Sequence, residues 1–217
     1  MERKKKKYIP KQLKELEKKK VKNDFKIILM GGCCAGKTSI FKTLSSGKTV
    51  FWSVATIGID KKTFTLNMEN GKEVNFSLFD TSGYKKYFPI TASYLKGVDA
   101  VILIYSIIDK RSFESLNNII NLLKEVNCFG IPILLLGNRK DLEEKREVTK
   151  EQGEKFALEN GFIFHESSIE DYEELYSIYY KFAKMVYEKY LKEPNTHIDE
   201  SNNNKKNLNI LMKYISF

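Results

Sequence analysis

Cysteine is scarce in this chain. The 217 residues hold three, Cys33 and Cys34 side by side and Cys128 far from both. That excludes a disulfide framework, and the spacing matches no metal-ligand pattern. Such cysteine use fits a reducing compartment, so the cytoplasm is expected. Histidine is equally sparse: His165 and His197 stand apart and form no catalytic pairing. No run reaches the ~18 apolar residues that a membrane span needs. The N-terminus is too basic and too poor in apolar residues for a secretory signal.

Net charge is nearly absent from the middle of the chain. The formal total is +9, yet residues 25–190 hold 22 basic and 21 acidic side chains. Residues 1–24 hold 11 Lys/Arg against 4 Asp/Glu. A balanced body disfavours specific nucleic-acid binding as the main function. The basic extension, 1–24, reads as a solvated, flexible or part-helical arm. Its sharper reading is weak contact with anionic membrane through Arg3–Lys7 and Lys18–Lys20, worth about 1 kcal/mol per basic residue near the surface. Ile9, Leu13, Leu16 and Val21 would help. Beyond 190 the chain becomes polar and Asn-rich, so 191–217 reads as a tail ending in the apolar patch ILMKYISF.

Between these ends, short apolar runs alternate with amphipathic stretches. KIILM (26–30) predicts a strand, followed by a glycine turn and a helix from Lys37 to about Leu44. KTFTLNM and EVNFSLF, joined across Asn70-Gly71, predict a hairpin. AVILIYSI (100–107) and IPILLLG (131–137) are near-continuous apolar runs, as expected of strands covered on both faces, and FIFHES (162–167) is a shorter one. Apolar residues recur at helical spacing in 111–127 and in 171–190. The expected fold is therefore α/β: a doubly wound, mostly parallel six-stranded sheet with one antiparallel edge strand. Ligands bind such sheets at the carboxyl ends of the strands.

The motifs fall at those ends. GGCCAGKT (31–38) follows the first strand, opens the first helix and fits G-x-x-x-x-G-K-[ST]. Backbone N–H groups of Gly32, Cys33, Cys34, Ala35 and Gly36, continuing into Lys37, Thr38 and Ser39, would wrap phosphates at a helix N-terminus. Lys37 would reach the outer phosphate oxygens and Thr38 would ligate Mg²⁺. The two cysteines read as tolerated small residues rather than a redox device. By itself the loop leaves kinase, ATPase and GTPase open.

The other strand ends discriminate. Asp80 begins D-x-x-G and could hold Mg²⁺ through water, while the N–H of Gly83 could sense a γ-phosphate. Asn138, Arg139 and Asp141 lie in NRKD, and Asp141 offers the paired acceptors that guanine N1–H and N2–H₂ require and adenine does not. Ser168 and Ile169 lie in ESSIE, where a backbone N–H can meet the base carbonyl. Thr56, in ATIGID, supplies a hydroxyl in a long loop.

Together these residues resemble the Ras superfamily of small GTPases, and FPITASYLKGVDAVILIYSI with IGID before it looks most like the Rab branch. The resemblance covers about 25–190 and neither end. It implies a GTP/GDP-binding switch with Mg²⁺ held by Thr38, Thr56 and Asp80. It also implies switch loops at 48–60 and 82–95, effectors on those loops, an exchange factor and a GAP. The implied activity is GTP hydrolysis by a monomer in vesicle trafficking or signalling, with Lys37, Thr56 and Gly83 serving the reaction.

Departures from the pattern carry equal weight. Tyr84 stands where the family has a water-orienting glutamine, so slow hydrolysis is expected, and a non-cycling GTP/GDP-binding scaffold is the alternative. Arg139 replaces a lysine, and Ile169-Glu170 replace alanine and lysine. At the position of the base-capping aromatic stands Thr49, with Phe51 and Trp52 nearby as substitutes. The last cysteine is Cys128 and the sequence ends KYISF, so no prenyl anchor is expected, and Met-Glu at the start lacks the glycine that myristoylation needs.

Overall fold

The computed structural model describes residues 22–51, 56–128 and 130–192. Residues 1–21 of the basic arm, Trp52 and residues 193–217 of the C-terminal tail lie outside these residues. Asp24 begins the first strand and Lys192 ends the last helix. The chain runs β1 (Asp24–Gly31), α1 (Lys37–Ser46), β2 (Ile59–Asn67), β3 (Glu73–Thr81), a 3-10 turn (Lys85–Tyr87) and α2 (Phe88–Leu95). It continues through β4 (Ala100–Ser106), α3 (Lys110–Glu114), α4 (Leu116–Glu125), β5 (Ile133–Asn138) and a second 3-10 segment (Lys140–Lys145). It ends with α5 (Lys150–Asn160), β6 (Ile163–Glu166) and α6 (Tyr172–Lys192).

The six strands are ordered β2-β3-β1-β4-β5-β6. All neighbours pair parallel except β2, which runs antiparallel to β3 at the edge. The hairpin closes where Gly71, at φ 74°, donates its N–H to Met68 O, and Met68 N–H bonds Lys72 O at 2.9 Å. That is the Asn-Gly turn the sequence predicts. Along β2, Lys61 and Lys62 are exposed, charge placement that discourages pairing at an open edge.

Side-chain alternation along β1 divides the core. Phe25, Ile27 and Leu29 pack on the side covered by α1 and α6, whereas Ile28 and Met30 pack with Leu116, Ile120 and Leu123 of α4. Strands buried on both faces must be apolar throughout, which is why β4 and β5 show no alternation. The carboxyl ends of β1, β3, β4, β5 and β6 consequently meet on one edge.

Three elements differ from the sequence expectation. The helix expected over 111–127 is broken into α3 and α4 at Ser115, and the serines of this segment bond backbone carbonyls. Ser112 Oγ donates to Asp109 O at 2.6 Å, and Ser115 Oγ donates to Ser112 O at 2.7 Å. Such local bonds compete with regular helix. The helix α5 went unanticipated although its signal is present in TKEQ: Thr149 and Gln152 form a reciprocal capping box. The short helix α2, opened by Pro89, was also unanticipated. Among the described residues no helix is long and apolar enough to cross a membrane.

Candidate functional site

The loop between β1 and α1 is shaped by residues that cannot be larger. Gly36 sits at φ 95°, and a Cβ there would lie 2.0 Å from Asn138 Nδ2. At Gly31 a Cβ would lie 2.2 Å from the carbonyl oxygen of Ile104. Cys34 also adopts the left-handed conformation, at φ 59°, a strain of about 1–3 kcal/mol for a residue other than glycine. Cys33 is half-buried, Cys34 is exposed, and both are free thiols. Ser39 lies on the first turn of α1.

Lys37 is only 5% exposed. Its ammonium donates to the carbonyls of Gly31 (3.0 Å) and Gly32 (2.7 Å). Burial pushes its pKa down, and the nearby Asp80 carboxylate opposes that shift. A cation desolvated in this way gains most from an anion that completes its coordination.

Three oxygens converge beside it. Thr38 Oγ1 donates to Asp80 Oδ2 at 2.6 Å, Thr56 Oγ1 donates to the same oxygen at 2.9 Å, and the two hydroxyls are 2.7 Å apart. Asp80 is buried, and its other oxygen, Oδ1, has no hydrogen-bond partner. Burial raises its pKa, while the two threonine hydroxyls and Lys37 hold it down. An orphaned carboxylate oxygen in the interior is costly unless something binds it. The hard, all-oxygen donor set suits Mg²⁺, whose octahedron places adjacent oxygens roughly 2.9 Å apart. The residues present therefore fit the metal. Thr56 comes from the loop that follows 52–55, so that loop lies closed over the site.

Beyond Asp80 the chain passes Ser82 to Gly83, which is pressed against the phosphate loop. A Cβ on Gly83 would lie 2.6 Å from Cys33 N and from Gly32 C and O. Tyr84 then turns outward and is 47% exposed, with the Lys86 ammonium 5.6 Å from its ring centre.

The base end is tied to the phosphate end by side chains of the fifth-strand motif. Asn138 Nδ2 donates to Ala35 O at 3.0 Å, and Arg139, at φ 69°, donates to Cys34 O at 3.4 Å. Ser168 Oγ donates to Asp141 and accepts the N–H of Glu170, which orients the carboxylate. Asp141, Ser168, Lys140 and Tyr172 line a shallow groove there. Thr49 Oγ1 donates to the carbonyl of Ile169 at 2.9 Å. Thr49 thus ties the segment after α1 to the loop after β6. No sequence signal could pair two residues so far apart. Phe51 is exposed to solvent.

Comparison with known proteins agrees with this geometry. The Ras family profile matches residues 26–188. Ras-related protein Rab-13 of Mesocricetus auratus is 39% identical over 144 residues, covering 66% of this chain and 70% of its own. Ras-related protein Rab-8A of Bos taurus is 32% identical over 162 residues, covering 75% and 78%. EF-hand calcium-binding domain-containing protein 4B of Homo sapiens is 38% identical over 144 residues, which make up 66% of this chain but only 20% of that protein. With the profile covering most of the chain and these relatives matching it, the chain belongs to the Ras family, as a divergent member resembling the Rab proteins.

Proposed function

We propose that this protein is a Rab-like switch that binds GTP with Mg²⁺ and hydrolyses it slowly to GDP, in vesicle trafficking or signalling. Residues 25–190 form the switch, flanked by a basic extension (1–24) and a polar tail (191–217). The observation that carries the reading is the convergence of Thr38 and Thr56 on Asp80, whose second oxygen is buried and unpartnered.

The phosphates lie in the ring of N–H groups from Gly32 to Thr38, where Lys37 exchanges loop carbonyls for phosphate oxygens. The hydroxyls of Thr38 and Thr56 and, through water, Asp80 would hold Mg²⁺, which would supply positive charge against the phosphate oxygens. Gly83, already against the loop, donates its N–H to the γ-phosphate. Asp141 accepts from guanine N1–H and N2–H₂, and the Ile169 N–H meets the base carbonyl. Loss of the γ-phosphate releases Thr56 and Gly83 together, which loosens 48–60 and 82–95 and changes what effectors meet.

Hydrolysis forms a bond from water oxygen to the γ-phosphorus as the bond to the bridging oxygen breaks. Orienting that water takes a donor and an acceptor on separate atoms, as a glutamine amide offers. Tyr84 has a single hydroxyl on a rigid ring, and its ring faces solvent beneath Lys86. The intrinsic rate is therefore low. A GAP arginine, worth about 10³–10⁵ in rate, would have to act without its usual glutamine partner. Exchange factors and effectors would act on a monomer held peripherally at membranes by its basic arm or by a partner.

Single-turnover loss of bound GTP in Mg²⁺ tests the reading. Tyr84→Gln is expected to raise the rate about tenfold or more, since each decade is 1.36 kcal/mol of barrier. Rapid hydrolysis by the native protein, unchanged by glutamine, would show that another group positions the water. The outward-facing Tyr84 also favours a second reading, a nucleotide-holding scaffold that does not cycle. Identical hydrogen-exchange patterns in the GDP and GTP-analogue forms would select it.

A further inference from the structure

The outer face formed by β2, β3 and α2 has a chemistry of its own. Phe79 on β3 is partly buried against the core, and Tyr94 on α2 lies 6.1 Å from it, centre to centre. The Lys26 ammonium stands 5.1 Å above the Phe79 ring and 5.6 Å above that of Tyr94. Directly across the antiparallel register from Phe79 is Lys61, whose ammonium is 5.5 Å from the same ring. Two cations thus share one aromatic ring. Burial lowers the pKa of Lys26, and Lys61 lowers it further, against the pull of Asp99. Asp99 is already engaged by Lys22 Nζ and by the backbone N–H of Lys26.

The arrangement repeats at the other end of α2. Lys86 stands 4.9 Å from the Tyr87 ring and 5.6 Å from that of Tyr84. Between the two clusters α2 exposes Pro89, Ile90 and Ser93. Ile90 and Tyr94 of α2 are exposed large hydrophobic side chains, and so are Tyr84, shortly before α2, and Ile57, shortly before β2. Among the described residues no ion pair holds Lys61, Lys85 or Lys86.

We propose that this face docks a partner protein through an acidic segment carrying an apolar side chain. Its carboxylates meet the Lys26–Lys61 pair and Lys85–Lys86, and the apolar residue lies on Tyr94 and Ile90. The proposal rests on reading this region as the switch surface and names the chemistry of what binds there. Charge complementarity chooses the occupant: a cation pair fixed over a ring offers carboxylates a defined place and suppresses basic partners. Exposed aromatic and aliphatic side chains inside a basic rim match the anatomy of a protein interface. A lipid surface needs no such spacing, and the diffuse charge of the basic arm suits it better.

An array of random twelve-residue peptides, probed with the full-length protein loaded with a non-hydrolysable GTP analogue, tests the proposal. Bound peptides should be enriched in Asp and Glu combined with aliphatic or aromatic residues. Lys61→Glu, alone and with Lys26→Gln, should weaken selected peptides about tenfold or more, and binding should fall as salt rises. Adsorption to phosphatidylserine-containing vesicles should be unchanged in both variants. Absence of acidic enrichment overturns the proposal. So does enrichment that survives both variants, which would assign the acidic peptides to the arm. Loss of vesicle adsorption with peptide binding intact would make the face a membrane contact. Loading with a fluorescent GTP analogue separates the failures: native protein that takes up no nucleotide refutes the switch reading, whereas normal loading without peptide selection refutes this inference alone.

Discussion

At the carboxyl ends of β1 and β3 almost every group is engaged inward. Gly36 and Gly83 are shaped by the atoms a side chain would strike, and Lys37 is spent on loop carbonyls. On the outer face of β3 and α2 the side chains point away, lysines stand over rings, and Tyr84 meets solvent. The first region follows the small-GTPase pattern closely, and the second holds the departure at Tyr84. The difference has a physical cause. A residue enclosed by backbone has one acceptable identity, whereas a residue facing a partner is free to change with that partner.

The inward region should break abruptly. Gly36→Ala places a methyl group where Asn138 Nδ2 now sits, 2.0 Å away, at a φ of 95°. Overpacking and backbone strain together cost about 3 kcal/mol, and separating Asn138 from the loop should lower GDP affinity about 100-fold. Thermal unfolding and nucleotide titration both report it. If alanine is accepted with little change, the cradle is softer than its contacts suggest and the contrast between the two regions collapses.

Next in size is the base carboxylate. Asp141→Asn keeps the shape and the Ser168 contact but turns one of two acceptors into a donor. A hydrogen bond to a charged group contributes about 1.5–3 kcal/mol, so the preference for GTP over ATP should fall about 10- to 100-fold. Competition binding with the two triphosphates reads the ratio. An unchanged preference would remove Asp141 from the site and assign guanine selection to another group. The outward residue Tyr84, by comparison, should affect hydrolysis and leave both binding constants alone.

These two regions were not equally legible in the sequence. The apolar runs, the Asn-Gly hairpin and the phosphate loop could be read because each is a local pattern backed by a local mechanism. The broken helix at Ser115 could not, since apolar spacing continues through it and only serine-to-backbone bonds interrupt it. The helix α5 could have been found from its capping box. Asp80, Thr38 and Thr56 could be nominated singly, but their meeting within 3 Å needed the fold. Least legible were the cation pairs on Phe79, because Lys26, Lys61 and Phe79 come from three strands and none belongs to a motif.

The smallest effect tests the link between the regions. Thr49 begins the switch loop yet donates to the carbonyl of Ile169, in the loop that should receive the base. It therefore joins the segment proposed as the first switch to the loop proposed to hold guanine. Thr49→Val keeps the shape and removes the donor, leaving a partly exposed carbonyl that water can satisfy. A bond of this kind is worth about 0.5–1.5 kcal/mol net, so GDP release should quicken about two- to tenfold. Stability should hardly change, and the rate of a fluorescent GDP analogue leaving the protein measures the effect directly. If release is unaltered, the base loop keeps its place without help from the switch, and inward and outward regions behave as independent parts. If release quickens and the GTP-analogue form is affected less than the GDP form, closure of Thr56 onto Asp80 is compensating for the lost bond, which couples the two ends of the nucleotide through the loop between Thr49 and Thr56.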